Sequence, residues 1–374
     1  NLMLKKWGFY YARLNRVVYL CRVLTNKFII MKKNLQSILV VALALITTVS
    51  YAQDWSVDSR TRIDMSGDND KMETSQRVTV GTAWGGSDWG VVLSSDVNYE
   101  LNHTGEVNAE VFEAYATTNL FGFATMNVGR QALSYGSGVF VGTNDWSANR
   151  NTVDGMTFAI DNDFVDLTLG LANDNDGEGH AHDRMWLNAS KSSGDWSANL
   201  FYAAASENEG DDNTQMGLDF AYTAMGGALE LNLSYNTTTT DGVDGDMMDI
   251  SGTYTVNDDM SLTAGRTSIG EDGFAYGAGG NMSGDWVSHG NLGMLEANDE
   301  NMYVGGSYSM GAFSLGARMH TVTNTENDDE RTASDITVGY TLGDNASLSY
   351  RMVTDDMGGS EDTNYNWLTL TIGL

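Results

Sequence analysis

From residue 53 onward the chain is a succession of runs, about 8–12 residues long, in which apolar and polar positions alternate. In 228–236, Leu229, Leu231, Leu233 and Tyr235 share one face, and Glu230, Asn232 and Ser234 share the other. Met216, Leu218, Phe220 and Tyr222 alternate with Gly217, Asp219 and Ala221. Ile336, Val338, Tyr340 and Leu342 alternate with Asp335, Thr337, Gly339 and Thr341. A period of two sends successive side chains to opposite faces, which is strand geometry and excludes helices. The chain is all-β.

A water-soluble sandwich alternates too, but three features favour a transmembrane antiparallel β-barrel. The apolar face often ends in Tyr or Trp (Trp84, Trp89, Tyr222, Tyr235, Tyr254, Tyr340), as an interfacial aromatic girdle requires. The other face is small, polar or charged, as a wet lumen would be. Connections alternate between short (85–88, 120–122, 161–163, 193–195, 224–227, 257–259, 310–311, 343–345) and long (65–74, 134–152, 173–183, 238–246, 270–300, 323–331, 356–363). Tight periplasmic turns and longer extracellular loops are the pattern of bacterial barrels. Eight tight turns predict about eighteen strands, with sixteen as runner-up because 101–107 and 206–213 are weakly marked. Nothing marks a linker or a second domain, so one barrel domain fills 53–374.

The first thirty residues are basic, aromatic and apolar, with Cys21 and no carboxylate, and read as upstream sequence. Met31 opens a secretory signal: Lys32 and Lys33 form its charged region, 38–46 its apolar region, and 50–52 a small-x-small cleavage site. The apolar region is shorter than the ~20 residues of a spanning helix. All 50 acidic residues lie beyond the signal, with 12 basic ones, a net charge of about −38 for 53–374. So acidic a chain excludes nucleic acid as a partner, and its one cysteine falls in the upstream stretch.

A long break in the alternation runs from Val128 to Gly155. A strand-like run, 121–133, gives way to a Gly-, Asn- and Ser-rich stretch, 134–152, and the next run opens at Val153. This is the third outward loop, from which a chain can fold inward and narrow a pore. Gly129-Arg130-Gln131, Tyr135-Gly136, Gly142, Asp145-Trp146, Arg150 and Asp154-Gly155 together resemble the core motif of the alginate-export porin family. That resemblance implies an eighteen-stranded outer-membrane barrel of a Gram-negative bacterium, with Arg130 and Arg150 near the constriction and Asp154 as an acidic partner. The terminal alternation, Leu368-x-Leu370-x-Ile372-x-Leu374, resembles the assembly signal read by the barrel-insertion machinery.

By alternation the inward face carries Asp96, Glu100, Glu113, Asp166, Asp219, Glu230, Asp249 and Asp335 against Arg77, Arg318, Arg351 and His320. The balance is acidic, which ranks general passage above that of an acidic saccharide. A lumenal guanidinium keeps its charge and a fixed fork of donors, so a few arginines can set the field of a constriction; the same arginines can instead pair with wall carboxylates. Strict parity puts Arg130 on the lipid face beside Met126 and Val128, where an Arg at the bilayer midplane would cost roughly 2–4 kcal/mol; a place at the strand's outer end, or beyond a bulge near Gly129, avoids that cost. The run Asp174, Asp176, Glu178, His180, His182 is at most a weak metal site, lacking the later bidentate Glu of a calcium loop, and reads as a solvated loop. No cofactor motif appears. A Ser–His hydrolase site finds only His320 on a strand, so an enzyme is not expected.

The sequence thus predicts an outer-membrane porin, a passive channel for small hydrophilic solutes and ions, narrowed by 134–152. Arg77, Arg130, Arg150, Arg318 and Arg351 would line it with Asp96, Glu113, Asp154, Asp219, Glu230 and Asp335. The alternatives are a selective channel for an acidic saccharide and a non-conducting barrel serving as surface adhesin or receptor. Expected partners are outer-membrane lipid and lipopolysaccharide, the solutes and the insertion machinery; monomer and trimer both stay open.

Overall fold

The computed structural model describes residues 53–66, 72–101, 107–147, 149–160, 162–175, 181–206, 213–276, 295–356 and 363–373. The upstream stretch and signal expected at 1–52 lie outside the described residues. Eighteen strands follow one another: β1 (Gln53–Asp64), β2 (Glu73–Gly85), β3 (Trp89–Glu100), β4 (Asn108–Leu120), β5 (Ala124–Gln131) and β6 (Val153–Ile160). Then come β7 (Asp166–Asn175), β8 (Ala181–Ser193), β9 (Trp196–Ser206), β10 (Asn213–Ala224), β11 (Leu229–Thr240) and β12 (Val243–Asn257). The last six are β13 (Met260–Ile269), β14 (Asp299–Met310), β15 (Phe313–Asn324), β16 (Glu330–Gly343), β17 (Ala346–Asp355) and β18 (Thr363–Gly373). Each pairs antiparallel with its sequence neighbours, and β1 also pairs with β18, Asp58 facing Gly373 and Asp64 facing Trp367. The sheet closes on itself, so every strand has a partner on both sides, which satisfies backbone groups that lipid cannot.

The two faces follow the alternation. Leu218, Phe220, Tyr222, Leu231, Tyr235, Ile250, Tyr254, Leu315 and Val338 are all exposed large apolar residues, the outer band of the barrel. Their strand neighbours Ser234, Asn236, Thr238 and Thr267 are buried inside. The inner face departs from the small, polar pattern expected of it. Trp186 and Phe201 point inward and join Met247, Ile269, Val322 and Ala333 in an apolar cluster. Trp186 can lie flat on the wall because the neighbouring strand offers Gly170 beneath its indole.

Two boundaries differ from expectation. The run read from residue 121 begins as a strand only at Ala124, because Phe121 has positive φ and forms the turn. The long connection expected over 238–246 is a tight hairpin. The β-branched run Thr237–Thr240 carries β11 up to Asp241-Gly242, and both of those residues have positive φ (51° and 77°), as a two-residue primed turn requires.

Candidate functional site: the barrel interior

The connection 132–152 leaves β5 and returns to β6 after touching two walls. On one, Tyr135 stacks on Phe201 of β9 with ring centroids 5.8 Å apart, and the Trp186 indole N–H donates to its hydroxyl at 3.3 Å. The Ser137 amide donates to Asp219 of β10 at 3.0 Å, whose other carboxylate oxygen accepts from Ser234 of β11 at 2.6 Å. Phe140 also stacks on Phe201, at 5.8 Å. Farther along, Trp146 meets Trp367 of β18 edge-on at 5.5 Å. Strands β8–β11 and β17–β3 lie half a circumference apart in the strand order. The connection therefore crosses the interior.

Its far limb is held by guanidinium groups. Arg60 of β1 donates to the Trp146 and Ser147 carbonyls at 3.0 Å each, and also to that of Asp145. Arg62 donates to the Trp146 carbonyl at 2.9 Å, and Arg77 of β2 to the Asp145 and Ser147 carbonyls at 3.3 Å. The Trp146 ring lies 3.9 Å from the Arg62 guanidinium and 4.9 Å from that of Arg351. Arg150 forks onto Asp96 of β3 at 2.6 and 2.9 Å, and the Thr79 hydroxyl donates to the same carboxylate at 2.7 Å. Arg60 and Arg62 were outside the expected set, although the signal was there: 58, 60 and 62 alternate with Val57, Ser59, Thr61 and Ile63.

The remaining expected residues fall in different places. Arg351 pairs with Asp335 of β16 at 2.9 and 3.1 Å. Arg318 of β15 is exposed to the lumen, its guanidinium 5.0 Å from the Tyr303 ring; with Arg351, Asp335, Thr263, Ser307 and Thr337 it borders a recess of about 320 Å³. Glu113 accepts from the Ala132 amide at 3.4 Å, at the root of the connection. Glu230 is exposed and accepts from Asn232 at 3.2 Å. Asp219, Glu230 and Asp249 stand on β10, β11 and β12, while Arg60, Arg62, Arg77, Arg318 and Arg351 stand on β1, β2, β15 and β17. The arginines stand on one part of the circumference with Asp96 of β3 and Asp335 of β16 among them, whereas β10 to β12 carry carboxylates.

Arg130 and Asp154 do not line the interior. On β5 and β6 the inward residues are Gln131 and Thr157, both buried and joined by a 2.8 Å hydrogen bond. Arg130 and Asp154 alternate with them, on the face of Val128 and Met156, which are 39% and 38% exposed. There they form a two-bonded ion pair, 2.7 and 2.6 Å, near the outward ends of their strands. Of the weak metal candidates, Asp176 and His180 lie outside the described residues. Asp174 and His182 are a register pair at the ends of β7 and β8, and nothing is described of their side chains. Among the described residues no group of three His, Cys, Asp or Glu could hold a metal ion.

A second connection also turns inward. The segment 270–276 after β13 places Phe274 5.7 Å from Phe140, and the Ala275 amide donates to Thr238 at 3.3 Å. Tyr276 accepts from the Leu295 amide at 3.2 Å, and burial pushes its phenol up to about 12, so it stays neutral. Burial also raises the Tyr135 phenol. The span 270–300 had been expected to face outward; its described ends instead pack into the apolar cluster, which draws in Val139, Phe140, Val141 and Leu295.

Comparison with known proteins agrees with this architecture. The family model described as Gram-negative porin matches residues 39–358. Among solved structures, OccK8 (OprE) of Pseudomonas aeruginosa is 16% identical over 86% of this chain and 98% of its own, with a TM-score of 0.70. OccK11 (OpdR) of the same organism is 17% identical over 86% and 96%, with a TM-score of 0.69. OpdK of that organism, solved with vanillate, is 13% identical over 87% and 100%, with a TM-score of 0.69. No curated protein matches by sequence. The resemblance of 128–155 to the alginate-export porins is not carried by these comparisons. In the structure that motif holds a loop in place: Tyr135 and Gly136 sit on one wall, Asp145, Trp146 and Arg150 on the other.

Proposed function

This chain belongs to the Gram-negative porin family, and on that premise we propose that it is a passive diffusion channel of the outer membrane, carrying small hydrophilic solutes and ions and narrowed by the connection 132–152. The observation that supports this is the path of the connection, with Ser137 bonded to Asp219 on β10 and Arg150 to Asp96 on β3. Lumenal width and the charges facing the gap would then decide what passes. The test is single-channel conductance in a planar bilayer, wild type against a variant in which 135–150 is replaced by a short Gly-Ser link. A steady conductance that rises in the variant is the expected result. A folded barrel that passes no current would overturn the channel, and an unchanged conductance would overturn the narrowing.

A second reading, selective passage of small organic anions, is favoured by one observation. Arg60, Arg62 and Arg77 converge on the far limb, where their guanidinium groups donate to backbone carbonyls. A carboxylate is a natural competitor for such forks, and vanillate, found with OpdK, is one. A reversal potential under a salt gradient separates the readings. Anion preference supports the second; cation preference rules it out and leaves general passage.

A further inference from the structure

The outer-face pair Arg130–Asp154 has no part in the interior, yet its surroundings give it a task. β4 runs outward to Asn108, whereas β5 stops at Gln131 where the chain turns into the connection. The last register pair between them is Ala114 with Arg130. Beyond Ala114, β4 therefore has ladder partners only on β3. At this level it also carries a bulge: Ser94 faces Glu113 and Ser95 faces Val111, which leaves Phe112 as the extra residue.

Arg130 spans the opening. Besides its two bonds to Asp154, it donates through Nη1 to the Val111 carbonyl at 3.2 Å. One side chain ties β4, β5 and β6 where the backbone ladder stops, an exposed-edge problem solved by a charged fork. The residue after Val111 is Phe112, whose ring lies inside the barrel 3.3 Å from the Arg150 guanidinium carbon. Arg150 is the anchor that the connection's returning limb makes to Asp96. The outer clasp and the inner anchor meet on adjacent residues of one bulge.

We propose that Arg130 is a positioning residue of the constriction, acting through the barrel wall. By fixing the Val111 carbonyl from outside, it sets the bulge that presents Phe112 to Arg150 and so holds the returning limb in place. This deepens the reading of 132–152 as the constriction and rests on it. The other inward connection has a similar clasp at its neck. Arg266 of β13 and Glu300 of β14 pair at 2.6 Å on the outer face, beside Met302.

The test is a double-mutant cycle of Arg130→Gln and Phe112→Ala, read in two ways. One readout is open-channel current noise. The other is the rate at which a thiol at position 141 (Val141→Cys, with Cys21→Ser) reacts with a soluble maleimide, Val141 being buried in the wild type. Each single variant should raise both severalfold, and the double variant should add nothing to either. Arg130→Lys, which keeps the charge but loses the fork, should fall between. Additive effects, or an Arg130→Gln variant that labels like wild type, would overturn the proposal. If Arg130→Gln fails to acquire the heat-modifiable folded form, Asp154→Asn with Phe112→Ala runs the same cycle with the same criteria. A wild type that does not conduct would sink the channel reading alone, since the labelling cycle still decides this one.

Discussion

Gly170 and Trp186 show how a single missing side chain is used. A Cβ on Gly170 would stand 1.8 Å from the indole, so no other residue lets Trp186 lie against the wall and reach the Tyr135 hydroxyl. Trp186→Ala is expected to lower the unfolding free energy by about 3–5 kcal/mol, measured by urea titration in lipid vesicles. The Asp96–Arg150 pair is similar in kind: its side chains are only 4% and 10% exposed. Removing one partner strands a buried charge, so Asp96→Asn should destabilise by roughly 3–5 kcal/mol and the double variant with Arg150→Gln by less; the same titration gives both values. Residues of this sort are legible in part. Alternation assigns a face to each side chain on a strand, and it put Arg130 outside beside Val128; the motif resemblance suggested the lumen for Arg130 and Asp154. Alternation has nothing to say about Arg150, which lies on no strand.

At the scale of elements, the hairpin β11–β12 and the connection 132–152 mark what pattern reading reaches. Asp-Gly between two alternating runs is a hairpin signal, and it was hidden where 238–246 reads as a long connection, although β11 and β12 carry all of it but the turn. The long connection is visible as an interruption of alternation. Its path is set by contacts of high sequence separation, Trp146 with Arg62 and Trp367 among them, and no local pattern encodes these. If Trp146 is what pins the far limb, Trp146→Ala should leave a folded barrel with larger and noisier single-channel currents. Currents identical to wild type would assign the pinning to the backbone bonds from Arg60, Arg62 and Arg77 and to the Arg150–Asp96 pair.

Over the whole molecule, the strand number was readable because each tight turn is a local event that can be counted. The distribution of charge around the circumference was not read, because a face assignment says in or out and only the strand's index says where on the circle. With the indices known, lumen arginines stand on β15, β17, β1 and β2 beside Asp96 and Asp335, and Asp219, Glu230 and Asp249 stand on β10 to β12. Charges on either wall act on a passing ion over about 8 Å at physiological salt. Neutralising Arg60, Arg62 and Arg77 together with Gln should move the reversal potential toward cations, and more so at low salt. An unmoved potential would mean that permeating ions do not sense that wall.

Trp146 touches the first strand through Arg62 and the last through Trp367 at the same time. Those two strands become neighbours only when the ring of strands is completed, so the seat for the far limb does not exist in any partly assembled barrel. The order of events is thereby fixed: closure precedes constriction, and a chain caught with its seam open would be wide. During refolding into vesicles, protease resistance of 145–150 should appear together with the heat-modifiable form and never ahead of it. A seated loop is in this sense a receipt for a finished barrel.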